Sequence, residues 1–319
     1  SYYKSTDMLI QSTNSEMTNL MKKSIELLDS QFSVYKMQMD SIVTSSKQAL
    51  DMIQYGMSLD VGTIENLEKA FVEEIKKYQA VKRISIFDQQ GDLKVTSNKA
   101  ASDPAEKAVS LPWFNQASAS KEIIFGAAYV PKGMKEPVMT MVKPCLSQDG
   151  KIYAFLAVDI ATEYAAKPIT SIKIGKEGFA YAVDRQGMVI AHPDKGKVFQ
   201  VNISKEEFGK EILQKKNGMI DYSLDGVSQF SSFSEYPAMN WIVVSQVNKE
   251  DILTSVKTMN TLFIILLIVM AVFSLVAGIL FTSRLVKPIN RIVAGLSEGA
   301  HQVASASLQV SESSQSLAE

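Results

Sequence analysis

The chain has 319 residues, and its 33 Lys and Arg residues nearly balance its 34 Asp and Glu residues, which gives a formal net charge of -1. This balance excludes a broadly basic nucleic-acid-binding surface, and no nucleic-acid partner is expected. At roughly 150 residues per domain the length predicts about two globular units. An apolar content of 46% is sufficient for their cores.

The first 55 residues contain neither Gly nor Pro and predict one long helix. Their apolar residues recur in steps of three and four from Met21 through Leu28 and Phe32 to Ile53, with Ser46 alone interrupting the stripe. A helix of about 50 residues is about 75 Å long, which exceeds one small domain. The helix therefore either pairs with a second copy as a coiled coil or runs alongside two stacked domains.

The segment from Val81 to Ser97 predicts a β-hairpin, because two alternating β-rich runs flank a Gly-containing turn. Further strands are predicted at residues 123–130, 137–147 and 151–160. A short helix follows from Ala161 to about Lys167, and Pro168 is expected to end it.

The pattern then repeats, because Val183-Asp184-Arg185-Gln186-Gly187 parallels Phe87-Asp88-Gln89-Gln90-Gly91. Later strands are predicted at residues 218–224, 227–235 and 241–246. The sequence thus predicts an α+β fold with two related antiparallel-sheet subdomains in tandem behind the long helix.

Residues 261–282 form a nearly continuous apolar run that predicts a transmembrane helix. As a helix, 22 residues span about 33 Å, enough for a hydrocarbon core of about 30 Å. Arg284, Lys287 and Arg291 follow with no acidic residue before Glu298, which places the C-terminal side in the cytoplasm and the preceding 250 residues outside. A signal peptide or first span is expected to precede Ser1.

The tail after the apolar run predicts a cytoplasmic coiled-coil helix. Ala294, Val303, Ala306, Val310 and Leu317 lie close to three-four spacing. A disordered tail is the alternative interpretation.

Residues 1–250 resemble the double Cache extracytoplasmic sensor of bacterial methyl-accepting chemotaxis proteins. The resemblance rests on the long helix, the hairpin ISIFDQQGDLKVTSN, the Pro112-Trp113-Phe114 segment, the strand ending Ala157-Val158-Asp159-Ile160, and GFAYAVDRQGMVIAHPD with the later Asn240-Trp241. Val286-Lys287-Pro288-Ile289 resembles the start of a HAMP linker, although no second HAMP helix is visible.

The resemblance implies PAS-like (Cache) subdomains with the following boundaries. Residues 1–58 form the stalk helix, 59–167 the membrane-distal subdomain, 168–250 the membrane-proximal subdomain, 251–283 the transmembrane helix, and 284–319 a HAMP-like linker and the start of a signalling helix.

Catalytic and metal sites are not expected, because the only histidines, His192 and His301, lie on opposite sides of the membrane segment. The chain also lacks a phosphate-binding glycine loop, and no cofactor is expected. His192, which precedes Pro193, is expected to cap a hairpin, and Cys145 to be a small buried side chain.

The better candidate for a ligand site lies in the distal unit. Alternation on the strand of residues 151–160 places Tyr153, Phe155, Ala157 and Asp159 on one face. A buried carboxylate there needs a cationic or hydrogen-bonding partner, which a ligand ammonium would provide together with cation-π contacts to the aromatic rings. The alternative is that Asp159 caps the helix starting near Ala161.

The resemblance implies that Asp159 holds a ligand amino group and that Trp113 and Phe114 match an aromatic pair that helps to bind its carboxylate. Tyr129 is a further expected wall residue. Leu111 stands where amino-acid-binding members have Arg, and Glu106 where they have Tyr. Lys121 or Lys143 is a possible substitute cation, and the expected ligand is an amine, an amino acid or a similar polar metabolite.

The expected function is a homodimeric, non-enzymatic chemoreceptor in the inner membrane. It would act through a chemotaxis adaptor and a histidine kinase beyond Glu319. One alternative is the same sensor driving a histidine kinase or a nucleotide cyclase. Another is a membrane-anchored scaffold or adhesin without a ligand.

Overall fold

The structure is a computed structural model that describes residues 2–98, 107–281, 284 and 287–316. The predicted α+β fold is confirmed, with a long N-terminal helix, two antiparallel sheets, and an apolar helix followed by another helix. The chain divides into a compact unit of Ser1–Leu253 and a second unit of Thr254–Glu319.

The N-terminal helical segment is interrupted once, where one continuous helix was predicted. It consists of α1 (Tyr2–Ser45) and α2 (Lys47–Gln54). The residue between them, Ser46, is fully buried, and its Oγ donates a 2.7 Å hydrogen bond to the carbonyl oxygen of Ile42. The φ and ψ of Ser46, -93° and 1°, depart from helical values, but its N–H still bonds the carbonyl oxygen of Ile42 at 3.0 Å, so the break is confined to a single residue.

Helix α1 packs against both sheets. Its buried side chains recur in steps of three and four: Met17, Met21, Ser24, Leu28, Phe32, Tyr35, Met39 and Ile42. Phe32 shows the arrangement best, because its ring lies 4.9 Å from Phe125 in the first sheet and 6.5 Å from Tyr236 in the second. These side chains belong to a single apolar core that joins the helix to the two sheets. Each large side chain buried in it contributes about 1.5–3 kcal/mol to the free energy of unfolding.

A third helix, α3 (Val61–Lys77), was not predicted. Asp60 caps its N-terminus by accepting a 2.8 Å hydrogen bond from the backbone N–H of Thr63. Leu67 and Phe71 are buried at four-residue spacing. This cap and spacing were a readable helix signal.

The first sheet has five antiparallel strands in the order β2-β1-β5-β4-β3. The strands are β1 (Val81–Asp88), β2 (Leu93–Thr96), β3 (Ile124–Phe125), β4 (Val138–Leu146) and β5 (Ile152–Ala161). The predicted hairpin and the two long strands are confirmed. The strand predicted at residues 123–130 is reduced to two residues and a single bridge between Tyr129 and Val138.

Three short helices belong to the same region: α4 (Phe114–Ser118), α5 (Thr162–Ala165) and α6 (Lys167–Thr170). The prediction that Pro168 ends a helix was wrong, because Pro168 lies in the first turn of α6. Proline is tolerated there because the first N–H groups of a helix have no intrahelical acceptor.

The second sheet follows α6 and has the path β6-β7-β11-β10-β9, with β8 pairing to β7. Its strands are β6 (Lys173–Ile174), β7 (Gly178–Asp184), β8 (Val189–Ala191), β9 (Gly218–Leu224), β10 (Val227–Tyr236) and β11 (Trp241–Asn248). The predicted strands are confirmed. Helix α7 (Glu207–Lys215), between β8 and β9, was not predicted.

The predicted repeat is present in atomic detail at the first hairpin of each sheet. Gly91 and Gly187 have φ values of 81° and 84°, and each donates its N–H to the carbonyl oxygen of the aspartate three residues earlier, at 3.0 Å. The Oδ1 atoms of those aspartates, Asp88 and Asp184, each accept two backbone N–H groups of the turn. Glycine suits this turn because a positive φ is strained for other residues.

Helix α8 (Lys249–Phe281) contains the apolar run, and α9 (Lys287–Ser316) is the last helix. Within the described residues, Thr261–Phe281 is one stretch long and apolar enough to cross a membrane, with a mean hydropathy of 3.1. Thr282, the predicted last residue of the span, lies outside the described residues. The HAMP-like linker and the bounds of the five predicted segments stay predictions.

Candidate ligand-binding site

The first sheet carries a buried row of polar side chains across three neighbouring strands. Arg83 on β1 lies opposite Asp159 on β5, and Asp159 lies opposite Thr140 on β4. The Nε of Arg83 donates to Oδ2 of Asp159 at 2.7 Å, and the Oγ1 of Thr140 donates to Oδ1 at 2.6 Å. The ion-paired side chains are each 3% exposed. The carboxylate therefore has the cationic partner that its burial requires, and the chain itself supplies it.

An aromatic cluster covers the same face of the sheet further along the strands. The Trp113 ring lies 5.6 Å from Phe87 and 6.1 Å from Phe155, and Phe114 lies 5.2 Å from Phe155. Alternation along β5 places Phe155, Ala157 and Asp159 on one face, so the cluster and the polar row share it. We call the surface formed by Arg83, Asp159, Thr140, Trp113 and Phe155 the distal site.

Trp113 is a deeply buried member of the cluster. It is 1% exposed, and its Nε1 is a buried donor without a hydrogen-bond partner among the described residues. Gly126 permits this placement, since a Cβ at position 126 would lie 2.5 Å from the Cβ of Trp113. An unpaired buried indole N–H costs free energy, which marks it as a group that a ligand acceptor would satisfy.

The structure tests one of the two predicted roles of Asp159, the helix cap. The cap interpretation was wrong, because the residue before α5 is Ala161 and no side chain caps that helix. The interpretation as a ligand anchor stays a prediction. Sequence reasoning missed Arg83. Arg83 and Ser85 alternate with Ile84 and Ile86 on β1, so the pattern already placed a cationic side chain on the face opposite the isoleucines.

Tyr153 is not on the face predicted for it. Leu146 pairs with Ile152 and Cys145 pairs with Ala154, so a bulge leaves Tyr153 as an extra residue in β5. Tyr153 packs against the helix-facing core instead of the aromatic cluster. Its assignment as a ligand-wall residue was therefore wrong, because a bulge shifts the alternation beyond it by one residue.

The other predicted site residues have different placements. Tyr129 packs against the aromatic cluster, and its hydroxyl lies 3.4 Å from Oγ1 of Thr140, whose single proton is donated to Asp159. Leu111 packs against the same cluster. Lys143 forms an ion pair with Asp40 of α1 at 2.5 Å and is not a substitute cation in the distal site. Lys121 is exposed near the β4–β5 turn, and Glu106 lies outside the described residues.

The corresponding face of the second sheet carries an apolar cluster and one uncharged polar group, in which the Tyr222 hydroxyl lies 3.2 Å from the Ser231 hydroxyl and donates to Oε1 of Gln246 at 3.0 Å. The cluster there contains Tyr181, Val183, Val189, Ile203, Ile212, Ile220, Phe233, Ile242 and Val244. Burial raises the pKa of Tyr181 well above its ordinary value. Unlike the first sheet, this face carries no buried ion pair among the described residues.

His192 and Cys145 have local structural roles. The Nδ1 of His192 accepts a 2.8 Å hydrogen bond from the backbone N–H of Asp194, just after β8. Burial, and to a lesser extent Lys197, lowers the pKa of His192. Cys145 is buried as predicted, and burial raises the pKa of its thiol to about 11. Within the part of the chain that the structure describes, no three His, Cys, Asp or Glu residues are grouped to hold a metal ion.

The sequence is similar to that of methyl-accepting chemotaxis proteins. The protein PctB of Pseudomonas aeruginosa is 24% identical over 179 residues, which cover 55% of this chain and 27% of PctB. The chain thus matches about a quarter of that relative's length.

The fold is similar to two solved sensory domains. The sensory domain of the Campylobacter jejuni chemoreceptor Tlp3 (CcmL) has a TM-score of 0.57 at 17% identity, over 77% of this chain and 98% of that domain. The ligand-binding domain of the P. aeruginosa amino acid chemoreceptor PctB in complex with L-Arg has a TM-score of 0.58 at 16% identity, over 75% and 97%.

The family model described as "Cache domain" (dCache_1) matches residues 3–256, which include the helix, both sheets and the distal site. This chain therefore belongs to the dCache_1 family of Cache domains.

Proposed function

We propose that the chain is the sensor and membrane anchor of a chemoreceptor and that it binds a small polar metabolite in the distal site. The observation that carries the proposal is the contrast between the two sheets. The first sheet combines a buried ion pair with an aromatic cluster and an unpaired indole N–H, whereas the matching face of the second has an apolar cluster and an uncharged polar group but no buried ion pair among the described residues. Ligand pockets typically combine an apolar lining with a few convergent polar groups.

The distal site is suited to an amine or an amino acid. Each carboxylate oxygen of Asp159 accepts one hydrogen bond, from Arg83 or Thr140, while a carboxylate offers about four acceptor positions. A ligand ammonium can therefore join the Asp159 carboxylate without displacing Arg83, and the aromatic rings add cation-π attraction.

Trp113 adds a requirement for an acceptor on the ligand. Its buried Nε1–H has no partner among the described residues, so a ligand carboxylate or carbonyl oxygen would remove an unfavourable desolvation cost. At the position of the family arginine this sequence has Leu111, which carries no charge. Arg83, from strand β1, places a guanidinium in the same site instead. These groups support a zwitterion over a simple amine. Solved relatives in complex with L-Arg and L-Gln support the same class.

The route of the signal follows from the connections of the chain. Helix α1 packs on both sheets, and α8 begins at the residue after β11 ends. A ligand changes the state of the receptor only if it binds one arrangement of these elements more tightly than another. The apolar stretch Thr261–Phe281 would hold the chain in the inner membrane with the sensor outside.

A homodimer supports such a mechanism. Leu20, Leu27 and Val34 recur at seven-residue spacing on α1, and Leu27 and Val34 are exposed. We propose that this stripe pairs with a second copy and that the tail reaches a chemotaxis adaptor and kinase through residues beyond Glu319.

A ligand screen tests the proposal. Amino acids, amines and short carboxylates are added to the full chain in detergent micelles, and a compound that binds only the folded state must raise the melting temperature. For a hit, Trp113→Phe removes the Nε1–H and keeps a ring, and we expect roughly tenfold weaker binding.

Trp241→Phe is the matched control, because Trp241 is equally buried but belongs to the second sheet. It should leave the affinity unchanged. The proposal is wrong if no compound raises the melting temperature, or if a hit binds Trp113→Phe and Asp159→Asn as tightly as the unmodified chain.

A further inference from the structure

A cavity of about 510 Å³ lies between the two sheets within the compact unit. Its lining comes from residues 130–137 and 161–163 in the predicted first subdomain and from residues 170 and 190–200 in the second. None of the residues that define the distal site lines it. We call it the intersheet cavity. Its volume falls within the range of about 300–1,000 Å³ that is usual for small-molecule sites.

The inner part of the intersheet cavity is apolar. Ala161, Ile190 and Ala191 line it and are each 3% exposed or less. Val198 and Phe199 add further apolar surface from the segment after β8. A ligand with an apolar body would bury that surface against side chains of both sheets.

The lining of the intersheet cavity includes one lysine without an ion-pair partner among the described residues. Glu163 forms a 2.9 Å ion pair with Lys195, and Glu136 forms a 3.1 Å pair with Lys82. Lys135 also lines the cavity and has no ion-pair partner among the described residues. Because both lining carboxylates are engaged, the cavity offers a free positive charge and no free negative one.

His192 provides a fixed hydrogen-bond donor in the same lining. Its Nδ1 accepts from the N–H of Asp194, so the proton of the neutral ring lies on Nε2. Nε2 has no partner within the described part of the chain. The ring orientation is held by edge contact with Phe179 at 4.9 Å and by Tyr181 at 5.7 Å.

The backbone of Phe199, which lines the intersheet cavity, is independent evidence for a ligand site there. Its φ is 59°, in the left-handed region that is strained for a bulky residue. A 2.8 Å hydrogen bond from its N–H to the carbonyl oxygen of Val189 holds the segment in that conformation. Strained backbone of this kind persists where the surroundings enforce it, often at ligand sites.

We infer that the intersheet cavity is a binding site for a small organic carboxylate with an apolar body. The carboxylate contacts Lys135 and the Nε2–H of His192, and the body lies against Ala161, Ile190 and Ala191. Because the lining comes from both sheets, an occupant stabilises one arrangement of them over another, and the site would tune the response to a distal ligand.

The test uses three probes that share one ring and differ in charge: sodium benzoate, benzamide and benzylamine. Each is titrated calorimetrically into the full chain in detergent micelles, with empty micelles as the blank. We expect benzoate to bind and the other two to bind at least tenfold more weakly. Lys135→Gln, a change at an exposed residue, should weaken benzoate binding roughly three- to tenfold.

Gln200→Trp fills the cavity from an exposed lining position and should abolish benzoate binding. Trp113→Phe, in the distal site, should leave it unchanged, so this inference and the proposed function fail separately. The inference is overturned if benzoate does not bind, if benzylamine binds as well as benzoate in a way that Gln200→Trp abolishes, or if benzoate binding survives Gln200→Trp. Thermal unfolding of each variant shows that a loss of binding is not a loss of folding.

Discussion

Breaking the buried ion pair of the distal site should destabilise the compact unit of Ser1–Leu253 strongly. Asp159→Ala removes the acceptor of a 2.7 Å bond from Arg83 and of a 2.6 Å bond from Thr140. Since both ion-paired side chains are 3% exposed, the guanidinium left behind is buried without that carboxylate, a change that typically costs about 3–5 kcal/mol. Loss of the Thr140 bond adds about 1 kcal/mol. We therefore expect a total loss of about 4–6 kcal/mol in the free energy of unfolding.

Urea unfolding followed by tryptophan fluorescence measures this loss. Both tryptophans, Trp113 and Trp241, are 1% exposed and belong to the compact unit, so their emission reports its unfolding. Glu211→Ala is the control, because it breaks an exposed pair with Lys215 on α7 and should have little effect.

A double-mutant cycle isolates the interaction between the two charged residues. Asp159→Asn, Arg83→Met and the double variant should give a coupling free energy of about 1.5–3 kcal/mol. A loss below about 1 kcal/mol in Asp159→Ala, or a coupling near zero, would refute the reasoning that a desolvated charge pair organises this face.

Two further predictions concern packing and pH. Gly126→Ala should cost about 1–3 kcal/mol, because the added methyl group would lie 2.5 Å from the Cβ of Trp113; unchanged urea unfolding would contradict the close approach. Burial, followed by the hydrogen bond to Asp29, raises the pKa of Tyr236 above its ordinary value. The neutral phenol is therefore favoured by folding, and its contribution is complete below about pH 10 and is lost as the pH rises further. Melting temperatures between about pH 9 and 11 should fall less steeply in Tyr236→Phe than in the unmodified chain.

The regular elements were predictable where one period dominated the sequence. Strand β9 alternates from Ile220 to Leu224, and the apolar run of α8 is long enough to cross a membrane. Helix α3 was missed although Asp60 and Thr63 form its cap and Leu67 and Phe71 mark its buried face. Its signal was overlooked, not absent.

The distal site was only partly predictable, for two physical reasons. The position of Asp159 on the same face as Phe155 follows from local alternation, but its partner Arg83 is 76 residues away in sequence. Their contact depends on the register of β1 against β5, which local pattern does not specify. Tyr153 was misplaced because a bulge opposite Cys145 and Leu146 inserts one residue, and such a bulge has no composition of its own.

The position of Phe32 has a consequence for folding. One side chain of α1 touches an aromatic ring of each sheet, and the core it belongs to extends from the first sheet to the second without a break. The two sheets are separate in topology but share the apolar surface of one helix. Neither should hold its structure once the other has unfolded, so chemical denaturation of the compact unit should be a single cooperative transition. A chain cut near residue 167 would expose half of that core and is expected to aggregate instead of yielding a small stable sensor.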